Sequence, residues 1–248
     1  MAHRNSIMTI FGARGRKNAL FSHEGGGGPQ SPATLHYARV SIALSVFALA
    51  AGATAIAVAW IDRPLARTIA RLLPPGKSVV PLQVPDGLIW FVIAVTGASI
   101  LAWAWARWRG KYPRLLRLAP LIVLTEPLAL GVKFFAKWVF GRTQTRLYVN
   151  HPWAHDFHWL HGHGPYLSFP SGHMLVAGAL IAVVIAVYPR LRGLGWFVLI
   201  ALAIALILTS YHYLGDVIAG WLIGATLAWL ILAADARLRP AENPRTPP

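Results

Sequence analysis

Two polar segments bracket the part of the chain around which the rest is organised. The first is Lys137-Trp138-Val139-Phe140-Gly141-Arg142, at the end of an apolar run, and the second is Pro170-Ser171-Gly172-His173, where the next apolar run begins. Further along, His212-Tyr213-Leu214-Gly215-Asp216 separates two more apolar runs. Cations, a Ser-Gly turn at a helix start and two histidines are the groups that phosphate-ester chemistry needs. We expect the apolar runs to be the frame that brings them together.

The composition of the 248 residues is that of an integral membrane protein. Hydrophobic residues make up 56% of the chain, charged residues only 12%, and the mean hydropathy is +0.53. Several runs reach the roughly 20 apolar residues that a helix needs to cross a bilayer. The sequence contains no cysteine, which excludes disulfides, thiol catalysis and thiolate metal ligands.

The apolar runs predict an all-α membrane protein with a bundle of six transmembrane helices. The predicted spans are residues 38–61, 87–106, 118–140, 172–188, 194–210 and 213–233. They form one membrane domain at 38–233, between a basic cytoplasmic tail at 1–37, which we expect to be disordered, and a cytoplasmic tail at 234–248. Three arginines spaced four residues apart predict a short interfacial helix after the first span. These are Arg63, Arg67 and Arg71, and the alternative is that they guide an anionic headgroup.

Basic residues predict the orientation of the spans. With the N-terminus inside, fifteen of the 23 Lys and Arg residues lie in or beside cytoplasmic segments and six lie in outer ones. This asymmetry predicts that both termini are cytoplasmic and that 137–173 and 212–216 meet at the outer surface. The formal net charge of +15 therefore reflects membrane topology. We expect a membrane, and no nucleic acid, as the partner.

The Pro-Ser-Gly-His segment offers an anion site at a helix start. Ser171 is a natural N-cap, and the free N–H groups of a first helical turn attract an anion. Taken alone, a capped transmembrane helix with an interfacial histidine explains these four residues better. The segment indicates an anion site only when it is considered together with His212 and Asp216.

His212 and Asp216 strengthen the functional interpretation. They are four residues apart, and on a helical turn they would share one face within hydrogen-bonding reach. A carboxylate that holds one ring nitrogen leaves the other as a directed nucleophile. The alternative places His212 at the interface and makes Asp216 a helix cap, although an acid at the mouth of a bundle is costly.

The third predicted span carries a column of ionisable residues. Glu126, Lys133 and Lys137 share one helical face to within roughly 40°. We expect this face to point into the bundle, because intramembrane charges seek partners there. We further expect Glu126 and Lys133 to interact through water or a kink and to brace Lys137, which with Arg142 supplies positive charge.

The loop between the third and fourth spans is rich in histidine and aromatic residues. Its histidines are His151, His155, His158, His161 and His163. His155, His158 and His161 could bind zinc together with Asp156. An aromatic lid over the pocket is the preferred interpretation, because the spacing is loose and glycines interrupt any helix. No metal and no other cofactor is predicted.

These segments resemble the three motifs of the type 2 phosphatidic acid phosphatase superfamily of six-span membrane lipid phosphatases. The motifs are Lys, six residues, Arg-Pro; then Pro-Ser-Gly-His; then Ser-Arg, five residues, His, three residues, Asp. Pro170 to His173 match the second motif in full, and Lys137 starts the first. His212 and Asp216 match the end of the third, and the resemblance covers about residues 38–233.

The resemblance implies a metal-independent phosphatase that forms a phosphohistidine. His212 would attack phosphorus while Asp216 orients its ring. His173 would protonate the leaving oxygen and then activate water. The residues implied to hold the phosphoryl oxygens offer positive charge or backbone N–H groups: Lys137, Arg142, Ser171 and Gly172.

Two positions depart from the motifs. Gln144-Thr145 stands where the first motif has Arg-Pro, and Ala205-Leu206 stands where the third has Ser-Arg. Arg142, or else Arg146, could supply the missing positive charge from nearby. Both histidines and the aspartate are retained, which argues against an inactive relative.

We therefore expect a lipid phosphatase in a bacterial-type inner membrane, with its active site facing the periplasm. The substrate would be a phosphate or diphosphate monoester of a lipid. Isoprenoid diphosphates, phosphatidylglycerophosphate, phosphatidic acid and lipid A phosphates all fit. The alternatives are a phosphotransferase that uses another lipid as acceptor and a phospholipid-binding relative without catalysis.

Overall fold

The structure, a computed structural model, describes residues 32–73, 87–151 and 156–238. The chain divides into two units, Met1–Ile42 and Ala43–Pro248. Of the first unit, only the start of helix α1 is described. The described part of the second unit consists of helices joined by turns and loops, without a β-strand of its own. The prediction of an all-α protein is confirmed.

The described residues form eight α-helices, one π-helical segment and one short 3₁₀ turn. They are α1 (Pro32–Ile56), the π segment (Ala57–Ile61), α2 (Asp62–Leu72), α3 (Gly87–Arg109), α4 (Pro113–Phe140), α5 (Thr145–Asn150), α6 (Gly172–Val187), the 3₁₀ turn (Pro189–Leu191), α7 (Arg192–Leu208) and α8 (Leu214–Leu238). Residues 32–37 and 234–238, which were predicted to lie in the tails, belong to α1 and α8. The rest of both predicted tails lies outside the described residues.

Five helical segments in the described part of the chain are long and apolar enough to cross a membrane. They are Leu44–Leu72, Gly87–Arg109, Pro113–Phe140, Pro189–Leu208 and Leu214–Leu238. Helix α6 is apolar as well but has only 16 residues. At 1.5 Å per residue it is about 24 Å long, shorter than the roughly 30 Å hydrocarbon core of a bilayer. The helix that starts at the Pro-Ser-Gly-His segment is thus the shortest of the predicted spans.

The predicted interfacial helix is continuous with the first span. Its three arginines lie in α2, but α1 runs into α2 through the π segment, where the N–H of Asp62 donates to the carbonyl of Ala57. A π-bulge adds one residue to a helical turn, often at functional sites, and changes which side chains face inward. Asp62 directly follows the bulge and is 1% exposed.

Glycines allow the helices that carry the polar residues to pack closely. A Cβ at Gly220 would overlap the carbonyl of Ser171, and one at Gly224 would overlap the carbonyl of Leu175. Helix α8 therefore lies directly against α6, which also packs against α4. As a result, the end of α4 and the beginnings of α6 and α8 come together at one end of these helices.

Candidate active site

The loop after α4 folds back on the end of that helix and fixes Arg142. Gly141 ends α4 with a left-handed φ of 54°, and a Cβ there would overlap the carbonyl of His158. The N–H of His158 donates to the Gly141 carbonyl at 2.9 Å, and the N–H of Ser168 donates to the Arg142 carbonyl at 3.0 Å. The Arg142 side chain is held inside the protein with no exposed surface.

Arg142 forms a buried ion cluster with two carboxylates. Its Nη1 donates to Asp62 Oδ2 at 2.8 Å and to Asp216 Oδ1 at 2.7 Å. Burial opposes its charge, but the two carboxylates outweigh this effect and raise the pKa of Arg142 above its ordinary value. The guanidinium also lies over the Tyr213 ring, 4.2 Å from the ring centroid. Arg142 is therefore a permanent buried cation.

Asp216 has several further donors, which fix its orientation. Its Oδ2 accepts hydrogen bonds from the Ser168 hydroxyl at 2.5 Å and from the Tyr213 N–H at 3.3 Å. His212 Nδ1 lies 3.5 Å from the same oxygen, close enough for an ion pair but without a hydrogen bond. The predicted approach of His212 and Asp216 is confirmed, although Asp216 also holds groups that the sequence pattern did not link to it.

The two histidines face one another beside a tyrosine. The ring centroids of His173 and His212 are 6.3 Å apart, and the Tyr211 ring packs against both, at 5.5 Å and 5.1 Å. His212 is 3% exposed, whereas His173 is partly exposed. Burial lowers the pKa of His212, although Asp216 acts in the opposite direction. A neutral His212 can act as a nucleophile.

The start of α6 presents backbone N–H groups near the histidines. Ser171 caps the helix, because its hydroxyl accepts from the Met174 N–H at 3.5 Å. The N–H of Ser171 itself donates to the backbone carbonyl of Asp216 at 3.0 Å. The N–H groups of Gly172 and His173 come first in the helix and have no acceptor within it. These two donors are the ones suited to an anion.

Two lysines of α4 lie beside this helix start. The Lys137 ammonium donates to the carbonyl of Leu167, and the residue is 8% exposed. Lys133 passes across Gly172, where a Cβ would lie 2.9 Å from its Cδ and Cε atoms. Gly172 thus leaves room for a lysine that the motif pattern did not single out.

The predicted column of ionisable residues does face the interior. Glu126 is 0% and Lys133 4% exposed, so this part of the prediction is confirmed. Within the described part of the chain, however, neither carboxylate oxygen of Glu126 has a hydrogen-bond partner. The expected interaction between Glu126 and Lys133, through water or a kink, stays a prediction.

Arg146 lies at the rim of the histidine pair. Its Nη2 donates to the carbonyl of Thr209 at 3.3 Å, and its Cζ lies 5.6 Å from the centroid of the Tyr211 ring. Tyr211 in turn contacts both histidines. Arg146 is partly exposed, so its position differs from that of the enclosed Arg142.

The histidine-rich loop contributes an aromatic cluster beside the site. The rings in contact are Phe140, Phe157, Trp159 and Phe169. Asp156 bonds Arg63 of α2 at 3.0 Å, and the His158 ring packs on Tyr166. In the described ranges, no three His, Asp or Glu side chains are grouped to hold a metal ion. His155 of the zinc alternative lies outside those ranges.

The sequence comparison decides which family contains this arrangement. Residues 118–240 match the PAP2 superfamily. The chain belongs to the PAP2 superfamily. The matched region contains both histidines, Asp216, the two lysines and both loop arginines, and it leaves out Asp62. Asp62 was not predicted as a site residue because it lies outside the PAP2 motifs. Its only signal in the sequence is an acidic residue at the end of an apolar run.

Two curated relatives of this PAP2 chain carry the same name. The lipid A 1-phosphatase of Rhizobium johnstonii is 37% identical over 76 residues, which is 31% of this chain and 31% of that protein. The lipid A 1-phosphatase of Rhizobium etli is 36% identical over 76 residues, 31% of this chain and 33% of that protein. The alignment thus spans about a third of the length of either relative. No solved structure gives a significant match.

Proposed function

We propose that the protein is a membrane lipid phosphatase that hydrolyses a phosphate or diphosphate monoester on a lipid headgroup at the outer face of a bacterial inner membrane. The observation that carries the proposal is the meeting of His212, His173 and Asp216 at one end of apolar helices. Because two relatives are named lipid A 1-phosphatase, we would test lipid A phosphates first. Isoprenoid diphosphates and glycerophospholipid phosphates follow.

The proposed reaction has two displacements at phosphorus. Nδ1 of His212 lies 3.5 Å from Asp216, and in the proposed reaction Nε2 attacks phosphorus. The new N–P bond forms as the bond from phosphorus to the lipid oxygen breaks, and His173 gives its proton to that oxygen. His173 then takes a proton from water, whose oxygen attacks phosphorus, and phosphate leaves His212.

The proposal keeps Lys137 and Gly172 as phosphate ligands and revises two other roles. The guanidinium of Arg142 already donates to two buried carboxylates, and the N–H of Ser171 donates to the backbone carbonyl of Asp216. Their proposed task is to hold Asp216. Positive charge for the phosphate would come instead from α4 and from the rim of the site, through Lys133 and Arg146.

An apolar groove supports a substrate with a hydrocarbon chain. It has a volume of about 480 Å³ and lies among α1, α6, α7 and α8. Met174 and Val217 line it, and each directly follows a proposed catalytic residue, His173 or Asp216. A lipid whose headgroup reaches the histidines could lay its chain in this groove. In the proposed topology, α6 is the fourth of six spans and both termini are cytoplasmic.

Phosphate release by the detergent-purified protein tests the proposal. A panel of lipid mono- and diphosphates would be supplied with EDTA present, alongside His212→Ala. Release that survives EDTA and disappears in the variant supports a metal-independent phosphatase. Label that moves from the substrate to another lipid would indicate a phosphotransferase. Headgroup binding without turnover, unaffected by His212→Ala, would indicate a non-catalytic relative.

A further inference from the structure

We infer that Asp62 is a positioning residue for the nucleophile: by sharing Arg142 with Asp216, it leaves Asp216 enough negative charge to support His212. The inference rests on the proposed function. It assigns a task to a residue outside the region that matches the family.

Asp62 makes strong and specific contacts although it lies far from the site in sequence. It is 1% exposed, and its Oδ2 accepts from Arg142 Nη1 at 2.8 Å. Its other oxygen, Oδ1, accepts from the N–H of Gly215 at 2.8 Å. Asp62 therefore bonds both to the cation that holds Asp216 and to the residue that precedes Asp216.

The backbone around Asp62 is shaped for this contact. Asp62 follows the π segment that interrupts α1 and α2, and this segment packs against α8. A Cβ at Gly215 would lie 2.7 Å from Asp62 Oδ2 and 2.9 Å from Val58 Cγ2. Only glycine lets the two helices approach closely enough for the carboxylate to reach the start of α8.

The charge of the cluster gives the contact a consequence for chemistry. Arg142 carries one positive charge and touches two carboxylates, so the cluster as a whole is negative by one charge. With Asp62 neutral, Arg142 would be neutralised by Asp216 alone. The imidazole of His212 gains positive charge when it bonds phosphorus, and a negative cluster stabilises that charge where a neutral one does not.

The other charged or basic groups around His212 make this support necessary. They are Lys133 and Lys137 from α4, His173 from α6 and Arg142 from the loop, and the Tyr211 ring also packs against His212. In the described residues, the acids of this cluster are Asp216 of α8 and Asp62. Asp62 is thus one of the two carboxylates that Arg142 binds beside His212.

Asp62→Asn is the first test, because asparagine keeps the shape and can still accept from Gly215. We expect kcat to fall about tenfold, as for other partners that act through a directly acting group, while KM stays within about twofold. The acid limb of the pH profile of kcat should move to lower pH, since less negative charge favours the neutral imidazole. A merely structural role would change the melting temperature and leave this limb in place.

A double-mutant cycle shows whether Asp62 acts through Arg142. In an Arg142→Gln background, adding Asp62→Asn should lower kcat by less than about twofold, because the shared cation is already absent. Full additivity of the two losses would overturn the inference.

Asp62→Glu separates charge from shape and decides the question if Asp62→Asn does not fold. It keeps the carboxylate and is the larger steric change, yet we expect it to retain more of the wild-type kcat than Asp62→Asn. Loss of more than about thirtyfold in a folded Asp62→Glu protein would overturn the inference. A folded Asp62→Asn protein with the kcat and pH profile of the wild type would also overturn the inference. Wild-type protein that is inactive on every lipid would instead contradict the proposed function.

Discussion

Asp62 and Asp216 are bound by one nitrogen atom, Nη1 of Arg142, at 2.8 Å and 2.7 Å. All three side chains have essentially no exposed surface. Removing one partner of a buried ion pair leaves an uncompensated charge in a medium that solvates it poorly. This cluster therefore connects α2, which begins at Asp62, to α8, which carries Asp216.

Arg142→Ala should destabilise the protein and also lower kcat. Two buried carboxylates would lose their common cation, and breaking a buried pair costs about 3–5 kcal/mol. Thermal unfolding in detergent, followed by tryptophan fluorescence, measures the loss. A folded Arg142→Ala protein with wild-type melting temperature and raised KM alone would show that Arg142 contacts phosphate and does not support the site.

Arg146→Ala is the matched comparison, since Arg146 lies only four residues further along and is partly exposed. We expect an unchanged melting temperature and a kcat/KM lower by about tenfold, the cost of losing one charged contact to phosphate of about 1.4 kcal/mol. Steady-state kinetics on the preferred lipid provides the test. Unchanged kinetics would remove Arg146 from the site.

Gly172→Ala should weaken catalysis without unfolding the protein. The added methyl group would lie 2.9 Å from two carbons of the Lys133 side chain, which is flexible and can move away. The displaced ammonium would no longer reach the start of α6, so KM for the phosphorylated lipid should rise. Gly178→Ala in the same helix is the control, because its methyl group would meet Trp221 at an ordinary 3.5 Å. Equal effects of both substitutions would contradict the role of Lys133.

Glu126→Gln should leave turnover unchanged. Among the described residues, the Glu126 carboxylate has no hydrogen-bond partner, so the substitution breaks no ion pair that supports Lys137. We expect kcat within about twofold of wild type and stability within about 1 kcal/mol. A large fall in kcat with unchanged folding would instead restore the idea that the column of α4 braces the site.

His212 should remain neutral at pH values where an ordinary histidine is half protonated. Its pKa is lowered from 6.5 because burial disfavours the imidazolium, and this outweighs the attraction of Asp216. The ring is thus protonated only as the pH falls below that ordinary value. Long-range ¹H–¹⁵N spectra of histidine-labelled protein, assigned with His212→Ala, report its state directly. Half protonation of His212 at or above pH 6.5 would contradict the account.

Much of the fold could be predicted from the sequence because each span is a continuous apolar run. The limits of α3 and α6 were predicted to within three residues. The meeting of His173, His212 and Asp216 followed from their places at helix ends. The spacing of apolar residues, however, predicts only a regular α-helix. It could not reveal the π segment after which Asp62 is buried in the protein.

The role of Arg142 shows where sequence reasoning stops. Its position beside the first motif suggested a phosphate ligand, since a charged residue near a site is expected to face it. The loop that turns back at Gly141 instead carries Arg142 into the interior. Arg142 bonds Asp62 and Asp216 across 80 and 74 residues of sequence, and contacts at such separations leave no local pattern.

Trapping the covalent intermediate tests the central claim most directly. A ³²P-labelled aryl phosphate, whose leaving group needs no protonation, would be offered to wild-type protein, His173→Asn and His212→Asn. The account predicts acid-labile label that persists in His173→Asn, where water is no longer activated, and that mass spectrometry locates on His212. His212→Asn should carry none. Turnover by His212→Asn, or label on another residue, would contradict the assignment of His212 as the nucleophile.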